Sequence, residues 1–545
     1  MTISYLRNYI FPLFFILPFI TSGQINYSSI LDNYFIEGLP NSPGFHLSII
    51  KNGKLVYSKN QGLSDLEHGI SITSKSVFNI ASLSKQFTAF SIYLLEDKGS
   101  LELDDKIHKY FDGLPEYMSQ ITINDLIHHT SGIRDHVVLA MLAGHNVFSD
   151  NIPENLLMDM IKRQSSLEFE PGTKFSYSNS GYLLLAKIVE TVSGQKFSEF
   201  TTEEIFQPLN MNSTLFMDNN KVIITNRAFA YSKNENGHYE NSFSINERVG
   251  AGGLYTSGED FAKWIENIKK NRLGINKQRV QKRLLEQHNL KNGKLNRYAG
   301  GLFISKYKDN VRISHNGSSG GYRSSFLYFP DEDLSIYAFS NASDFSLNLL
   351  KIVDLFLFED IPESGKSDAH DFKKFSQEKL KQYEGVFKLS SGYVLLIQVK
   401  DEHLYYTISG NGANIILPLN DNMFVDPNTG IKIKINTENI DNKKATIIYP
   451  TMSMPESEAL NKAFSDQDYL KLFEGNFYNS DLDRSYEIIR EGDHLDIQID
   501  GKSINKIYGV DKNEFHGGGM TILFTNNDTY ELNTGRIKKL LFKRI

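Results

Sequence analysis

A chain of 545 residues with 58 Lys and Arg against 65 Asp and Glu carries a formal charge of −7, and it has length enough for roughly two to four domains with hydrophobic cores. Its charges are mixed, and no basic run with interleaved aromatics marks a nucleic-acid surface. The absence of cysteine excludes disulfides, thiolate metal sites and a lipid-modified Cys.

The N-terminus has Arg7, an apolar run from Tyr9 to Ile20 with Pro12 and Pro18 inside it, and then Thr21, Ser22 and Gly23. Charge, short apolar core and small residues in that order predict a signal peptide over 1–23, export to the periplasm or beyond, and no stable membrane anchor after cleavage. An exported protein without disulfides must be held together by packing, which this length permits.

From Phe45 to Gly62 apolar and polar residues alternate around Asn52 and Gly53, which predicts a tight hairpin. The stretch Asn79 to Phe87 follows. In it Ser82 and Lys85 stand three apart, and Phe87, Phe90 and Leu94 continue a helical rhythm that stops at Gly99. The pattern predicts an amphipathic helix opened by Ser82, with Ser82 and Lys85 on one face. A hydroxyl there lies among unpaired N–H groups at the positive end of the helix dipole, which suits a nucleophile whose reaction passes through an oxyanion. Lys85 can take its proton only as a neutral amine, so burial or nearby positive charge must lower its pKa. Taken alone, the pair reads as well as an N-cap with a solvated lysine.

Helices then dominate. Thr122 is placed to cap a short helix through Asp125, and His128 and His129 after it are read as structural, since the histidines form no HExxH-like metal pair. A turn at Pro171 and Gly172 precedes Phe175 to Asn179. Within that loop the Tyr177 phenol can relay a proton beside a lysine and the Asn179 amide can hold a substrate amide. The simpler alternative is a packed Tyr and a helix-capping Asn. A helix is expected from Gly181 to Val192, stopping at Gly194, and another from near Ser257, with Phe261, Trp264, Ile265 and Ile268 on one face.

Strands return at Val311 to Ser314, Arg323 to Phe329 and Leu334 to Ser340, so an antiparallel sheet is expected from both ends of this region with helices inserted between. His315, Asn316 and Gly317 end the first of these strands and run into Ser318, Ser319, Gly320 and Gly321. The Ser318 N–H is a candidate oxyanion donor and Gly317 a point of close substrate approach; otherwise the stretch is a Gly-rich hairpin with a surface His. The Gly-rich runs at Gly250 to Gly253 and Gly517 to Gly519 lack the Lys and Ser or Thr of a phosphate loop, and no cofactor or metal is implied.

Residues 361–372 read as a linker. Beyond it Tyr383, Glu384, Gly385, Val386, Phe387 matches Phe473, Glu474, Gly475, Asn476, Phe477, and Phe424 matches Phe515, an offset of about ninety residues. Two copies of one all-β unit are expected, over 373–455 and 456–545. Small barrels are the natural form because closure removes exposed edges. Neither copy holds a nucleophile and base, and both are expected to fold by themselves and modulate access only.

Ser82 with Lys85, Tyr177 with Asn179, and His315 with Gly317, in that order, resemble the three motifs of the penicillin-recognising serine hydrolases: class C β-lactamases, DD-peptidases, D-aminopeptidases and related esterases. Leu126 to Gly132 and Gly252 to Asp260 are similar to two further segments of that family. The resemblance spans Ile25 to Leu357. It implies a β-lactamase/transpeptidase-like α/β (α+β) catalytic domain over 24–360, with an antiparallel sheet and a helical subdomain. The two lipocalin-like barrels that follow resemble the layout of D-aminopeptidases. The implied roles are Ser82 as nucleophile, Lys85 as base, Tyr177 as proton shuttle, Asn179 in substrate orientation, and the N–H groups of Ser82 and Ser318 on the oxyanion. His315 stands where β-lactamases and most DD-peptidases carry Lys, which weighs against β-lactamase activity. The expectation is an exported serine hydrolase acting on amide or ester bonds of D-residue or peptidoglycan-type peptides. Alternatives are a carboxylesterase, a weak β-lactamase, or a binding protein that turns nothing over.

Overall fold

The computed structural model describes residues 27–34, 41–358 apart from 151, 235–236 and 243–246, and 372–545 apart from short stretches at 390–391, 409–412, 428–429, 438–442, 450–451, 454–456 and 461. The expected signal peptide and all but the last residue of the expected linker lie outside the described residues.

The N-terminal domain is built on a six-stranded antiparallel sheet. Strands β1 (Phe45–Lys51) and β2 (Lys54–Gln61) form the expected hairpin, with Asn52 and Gly53 both at positive φ (51° and 69°), the backbone a two-residue primed turn requires. Strands β3 (Phe303–Tyr307), β4 (Asn310–Ser319), β5 (Tyr322–Phe329) and β6 (Leu334–Ser340) complete the order β3-β4-β5-β6-β1-β2. β1 pairs β6 from Phe45↔Ser340 to Lys51↔Leu334, so the two ends of the region meet at the middle of the sheet. Leu47, Ile49, Ile336 and Ala338 on one face pack under Ile352 and Phe356 of the helix Leu349–Phe358. On the other face Tyr337 and Phe339 meet Phe261, with ring centroids 5.2 Å apart in each pair. β6 is therefore buried along its whole length.

The helix after Ser82, α1 (Lys85–Asp97), is not amphipathic as its spacing predicts: every residue but Asp97 is buried. It is the axis of the helical subdomain, with aromatic and aliphatic cover all round, and such a helix carries its apolar residues on every side. Trp264 of α4 (Gly258–Lys269) lies 4.2 Å from Phe87 and edge-on to Phe90, and its indole N–H donates to Gln86 Oε1 at 2.7 Å. Between them in the chain lie α2 (His136–Leu142) and α3 (Asn179–Ser193); α3 begins two residues before the expected Gly181 and ends at Gly194 in the left-handed conformation. Thr122 and Asp125 form a reciprocal capping box, as their spacing predicts.

β4 runs on through the expected end at His315 to Gly317 as far as Ser319. β5 pairs the whole stretch, through Ser319↔Tyr322, and burial alternates, with His315 and Gly317 inward and Asn316 and Ser318 outward. Gly and Ser hide a strand whose stability comes from its neighbour.

The two C-terminal units are copies of one another in space. Phe387 and Phe477 are both fully buried, as are Phe424 and Phe515, and Glu384 and Glu474 accept the backbone N–H groups of Val399 and Arg490. The second is a closed eight-stranded barrel, sealed where Phe477 pairs Arg544. The first follows the same meander and is nearly closed by a bridge between Phe387 and Ala459; its strand Ser457–Glu458 carries it past the expected join at 455. The second barrel is not an independent body. Leu139 and Leu142 of α2 belong to its hydrophobic core, and buried Arg134 joins Glu168 (2.7 Å) to the barrel's Asp481 (2.9 Å).

Candidate active site

Ser82 sits in a single 3₁₀ turn, Ala81–Ser84, just ahead of α1. Ala81 before it has φ 49°, a conformation non-glycine residues rarely adopt, and it is held from several sides. Its N–H donates to Asn79 Oδ1 (2.8 Å) and its carbonyl accepts from Ser84 Oγ (2.5 Å). Ile80 O accepts from Ser324 Oγ of β5 (2.7 Å). The turn is thus bolted to the sheet, which fixes the direction of the Ser82 side chain.

Gly317 serves this same contact. A Cβ on it would lie 2.3 Å from Ser324 Oγ and 2.4 Å from Ile80 O, so a glycine is needed here for β4 to approach the serine turn, and the same residue lines the pocket. β3 pairing ends at Phe303↔Ser314, and the edge of β4 beyond it, including Ser318, borders the pocket. That places an unpaired strand edge opposite the N-terminal turn that carries Ser82.

Lys85 is fully buried. Its Nζ donates to Ala251 O (2.6 Å) and Asn179 Oδ1 (2.9 Å) and lies 3.1 Å from Ser82 Oγ. A neutral amine has two hydrogens and one lone pair. With both hydrogens on carbonyl oxygens, the lone pair is left for the serine O–H, the arrangement of a base facing its nucleophile. Burial pulls Lys85 down to about 7; the Asp135 carboxylate raises it and the Arg536 guanidinium lowers it further. The alternative of a solvated lysine does not fit this geometry.

The ring of Tyr177 lies 4.9 Å from Lys85 Nζ. Burial pushes its phenol upward, opposed by a hydrogen bond with Ser82, so it stays protonated at neutral pH. Its loop is held from below by His129, whose carbonyl accepts Ser176 N–H (2.9 Å) and whose Nδ1 accepts Ser178 N–H (3.1 Å). The imidazole packs 4.3 Å from Tyr177 and 4.5 Å from Tyr298, and burial holds it well below the usual histidine range. His129 is structural in this sense: it positions the tyrosine.

His315 is buried, not a surface residue. Nδ1 meets Asn316 O at 2.7 Å and Nε2 meets the Tyr298 hydroxyl at 3.0 Å, and burial, with the nearby Lys85, lowers it to about 3. Neutral, it donates from Nδ1 and accepts at Nε2. Both nitrogens are occupied within the protein, so the ring shapes the pocket wall without offering a charge to substrate.

Two residues central to the site were not singled out from sequence. Asp135 caps α2 through Val137 N–H (2.8 Å) and accepts both the backbone N–H (3.1 Å) and Nδ2 (2.9 Å) of Asn179, which turns Asn179 Oδ1 toward Lys85. An Asp before the apolar run His136–Leu142 is legible as an N-cap, though not as a support for Asn179. Arg536 comes from the second barrel, in a polar turn with no signal. The cavity bordered by Ser82, Tyr177, Asn179, His315 and Arg536 measures about 840 Å³, and Val137, Met141, Val147 and Phe148 form an apolar wall. Among the described residues no cluster of His, Asp or Glu is arranged to hold a metal.

The Beta-lactamase family model matches residues 32–351. Penicillin-binding protein 4* of Bacillus subtilis (strain 168) is 26% identical over 432 residues, spanning 75% of this chain and 93% of that protein. A D-aminopeptidase of Brucella anthropi is 27% identical over 326 residues, spanning 58% of this chain and 61% of that one. Among solved structures, the octameric penicillin-binding protein homologue from Pyrococcus abyssi shares the fold with TM-score 0.53 at 21% identity, over 85% of this chain and 95% of its own. A D-stereospecific amidohydrolase from Streptomyces sp. does so with TM-score 0.51 at 19% identity, over 61% and 98%. With a serine and a buried lysine at the centre of a match covering more than half its length, the chain belongs to the Beta-lactamase family and is a serine hydrolase.

Proposed function

We propose that the protein is exported and hydrolyses amide bonds next to apolar D-residues in short, peptidoglycan-type peptides, through an acyl-enzyme on Ser82. The observation that carries the reading is the contact between Ser82 Oγ and the buried amine of Lys85 at 3.1 Å. Ser82 attacks the carbonyl and its proton passes to Lys85. The N–H groups of Ser82 and Ser318 hold the oxyanion. Tyr177, kept protonated by burial, delivers a proton to the departing amine and regains one from the Lys85 ammonium, which restores both groups, and water then releases the acyl group.

The substrate class is supported by the D-aminopeptidase relative and by the apolar wall, which suits a hydrophobic side chain. A neutral, internally bonded His315 offers no fixed charge to a penicillin carboxylate, which supports the amidase reading over a β-lactamase. The test is a panel of D- and L-phenylalanine amides, a nitrophenyl butyrate and a chromogenic cephalosporin, run on wild type and Ser82→Ala. Turnover of the D-amide that vanishes in Ser82→Ala is expected. Equal rates on both enantiomers would refute the D-preference, and turnover of the ester alone would make the protein an esterase.

A further inference from the structure

The second barrel reaches the nucleophile through a chain of polar contacts. Arg536 lies in the turn between the strands Thr529–Asn533 and Leu540–Arg544 and lines the pocket. Its Nη1 donates to Asp135 Oδ2 at 3.1 Å, and its guanidinium lies 5.1 Å from the centre of the Tyr177 ring. The Asp135 side chain is fully buried, whereas that of Arg536 is 45% exposed. The same Oδ2 accepts Asn179 Nδ2, and Asn179 Oδ1 accepts Lys85 Nζ. Arg536, Asp135, Asn179, Lys85 and Ser82 therefore form one continuous line.

A buried carboxylate near a buried amine has an obvious alternative to this arrangement. The amine can take up a proton and become an ammonium ion, stabilised by the carboxylate, and in that state it cannot accept the serine proton. The remaining groups around Lys85 do not prevent this. Tyr177 and Tyr182 present ring faces, His129, His136 and His315 are neutral through burial, and Asn179 is uncharged. Arg536 is the cation that answers Asp135 directly. A planar guanidinium is suited to the place, since it can lie over the phenol ring while one edge meets the carboxylate.

We propose that Arg536 of the second barrel is a positioning residue of the active centre: by pairing with Asp135 it holds the carboxylate to Asn179 and keeps Lys85 the free base. The C-terminal barrel is then part of the catalytic apparatus, and a molecule whose barrel is undocked is acylated poorly at neutral pH. The inference rests on the serine and lysine reading above.

The test follows the rate of labelling by a fluorophosphonate probe from pH 5.5 to 10 in the full chain, for wild type, Arg536→Gln, Arg536→Lys and the double variant Asp135→Asn/Arg536→Gln. In Arg536→Gln the acid limb moves to higher pH. The loss at pH 7 is about fivefold for the first unit of that movement and about tenfold for each further unit, and the rate recovers near pH 10. Arg536→Lys, which keeps the charge, stays close to wild type, and the double variant, with neither charge, returns toward it. An unmoved acid limb in Arg536→Gln overturns the inference, and so does a loss equal at all pH values, which would mean packing or substrate contact. If Arg536→Gln fails to fold by thermal unfolding, the double variant decides: a limb displaced upward in it contradicts the charge argument, and a limb near wild type upholds it. Absence of labelling in wild type at every pH would instead remove the nucleophile assignment, so the two failures are distinguishable.

Discussion

The hydroxyl of Tyr486, on a strand of the second barrel, donates to the carbonyl of Leu142 in the catalytic domain at 2.6 Å. Around that bond Leu139 and Leu142 lie fully or almost fully buried among Phe477, Ile488 and Phe542 of the barrel. One hydrophobic core therefore crosses what the sequence presents as a domain boundary, and the second barrel is packed into the preceding domain.

Removal of the second barrel, by ending the chain after residue 460, is predicted to destabilise the catalytic domain. It exposes two leucines, each about 1.5–3 kcal/mol of apolar burial, and strips Arg134 of Asp481. Thermal unfolding should show a midpoint many degrees lower, with loss of probe labelling. A shortened protein as stable as the full chain would refute the shared core.

Arg134→Met is predicted to lower stability by about 3–5 kcal/mol, because Glu168 and Asp481 are left as buried, unpaired carboxylates. Urea unfolding at pH 7 measures it. Arg134→Met with Asp481→Asn should recover part of the loss, which distinguishes unpaired charge from lost packing.

The labelling rate of wild type is predicted to rise with pH around a midpoint near 7, since the neutral amine of Lys85 is the active form and burial sets its pKa there. Lys85→Met should cost several orders of magnitude at every pH. A flat profile from pH 5.5 to 10 would show that Lys85 is not the base.

His315→Gln is predicted to leave that midpoint in place. His315 is held near 3, far below the working range, and its bonds to Asn316 and Tyr298 are structural. Stability should fall by only about 0.5–1.5 kcal/mol for the lost hydrogen bond, since the Tyr298 hydroxyl keeps Tyr182 as a partner, and rates should drop equally on charged and neutral substrates. Selective loss on carboxylate substrates would return His315 to the binding role.

Acid destabilisation should set in early. His128 and His136 are lowered to about 4 and His315 to about 3, all chiefly by burial. Their stabilising contribution is fully present above the unfolded value near 6.5. It is lost as pH falls, because the unfolded chain takes up protons that the folded state refuses until about 4. Each amounts to about 3 kcal/mol at the low end of that window. Urea unfolding at pH 7, 6 and 5 measures the slope, and His136→Gln should reduce it.

Much of this protein is carried by local pattern. Asn52 and Gly53 specify a turn because both can take positive φ, Thr122 and Asp125 specify a helix start through reciprocal bonds, and the ninety-residue repeat announces two copies of one β unit. Ser82, Lys85, Tyr177 and Asn179 were legible as chemistry because their residue types and order are unusual in combination. What lay beyond reach are properties of the environment. Lys85 becomes a base through burial and His315 becomes uncharged through burial, and neither residue's neighbours in sequence provide that burial. The length of β4 depends on a partner strand, and the burial of α1 on all sides depends on helices from three other stretches. Asp135 and Arg536 meet across 401 positions of chain, where Leu139 and Leu142, together with the Arg134–Asp481 pair, seat the second barrel against the catalytic domain. Short-range propensity is written residue by residue, whereas desolvation and long-range charge pairing arise only when distant segments exclude water together.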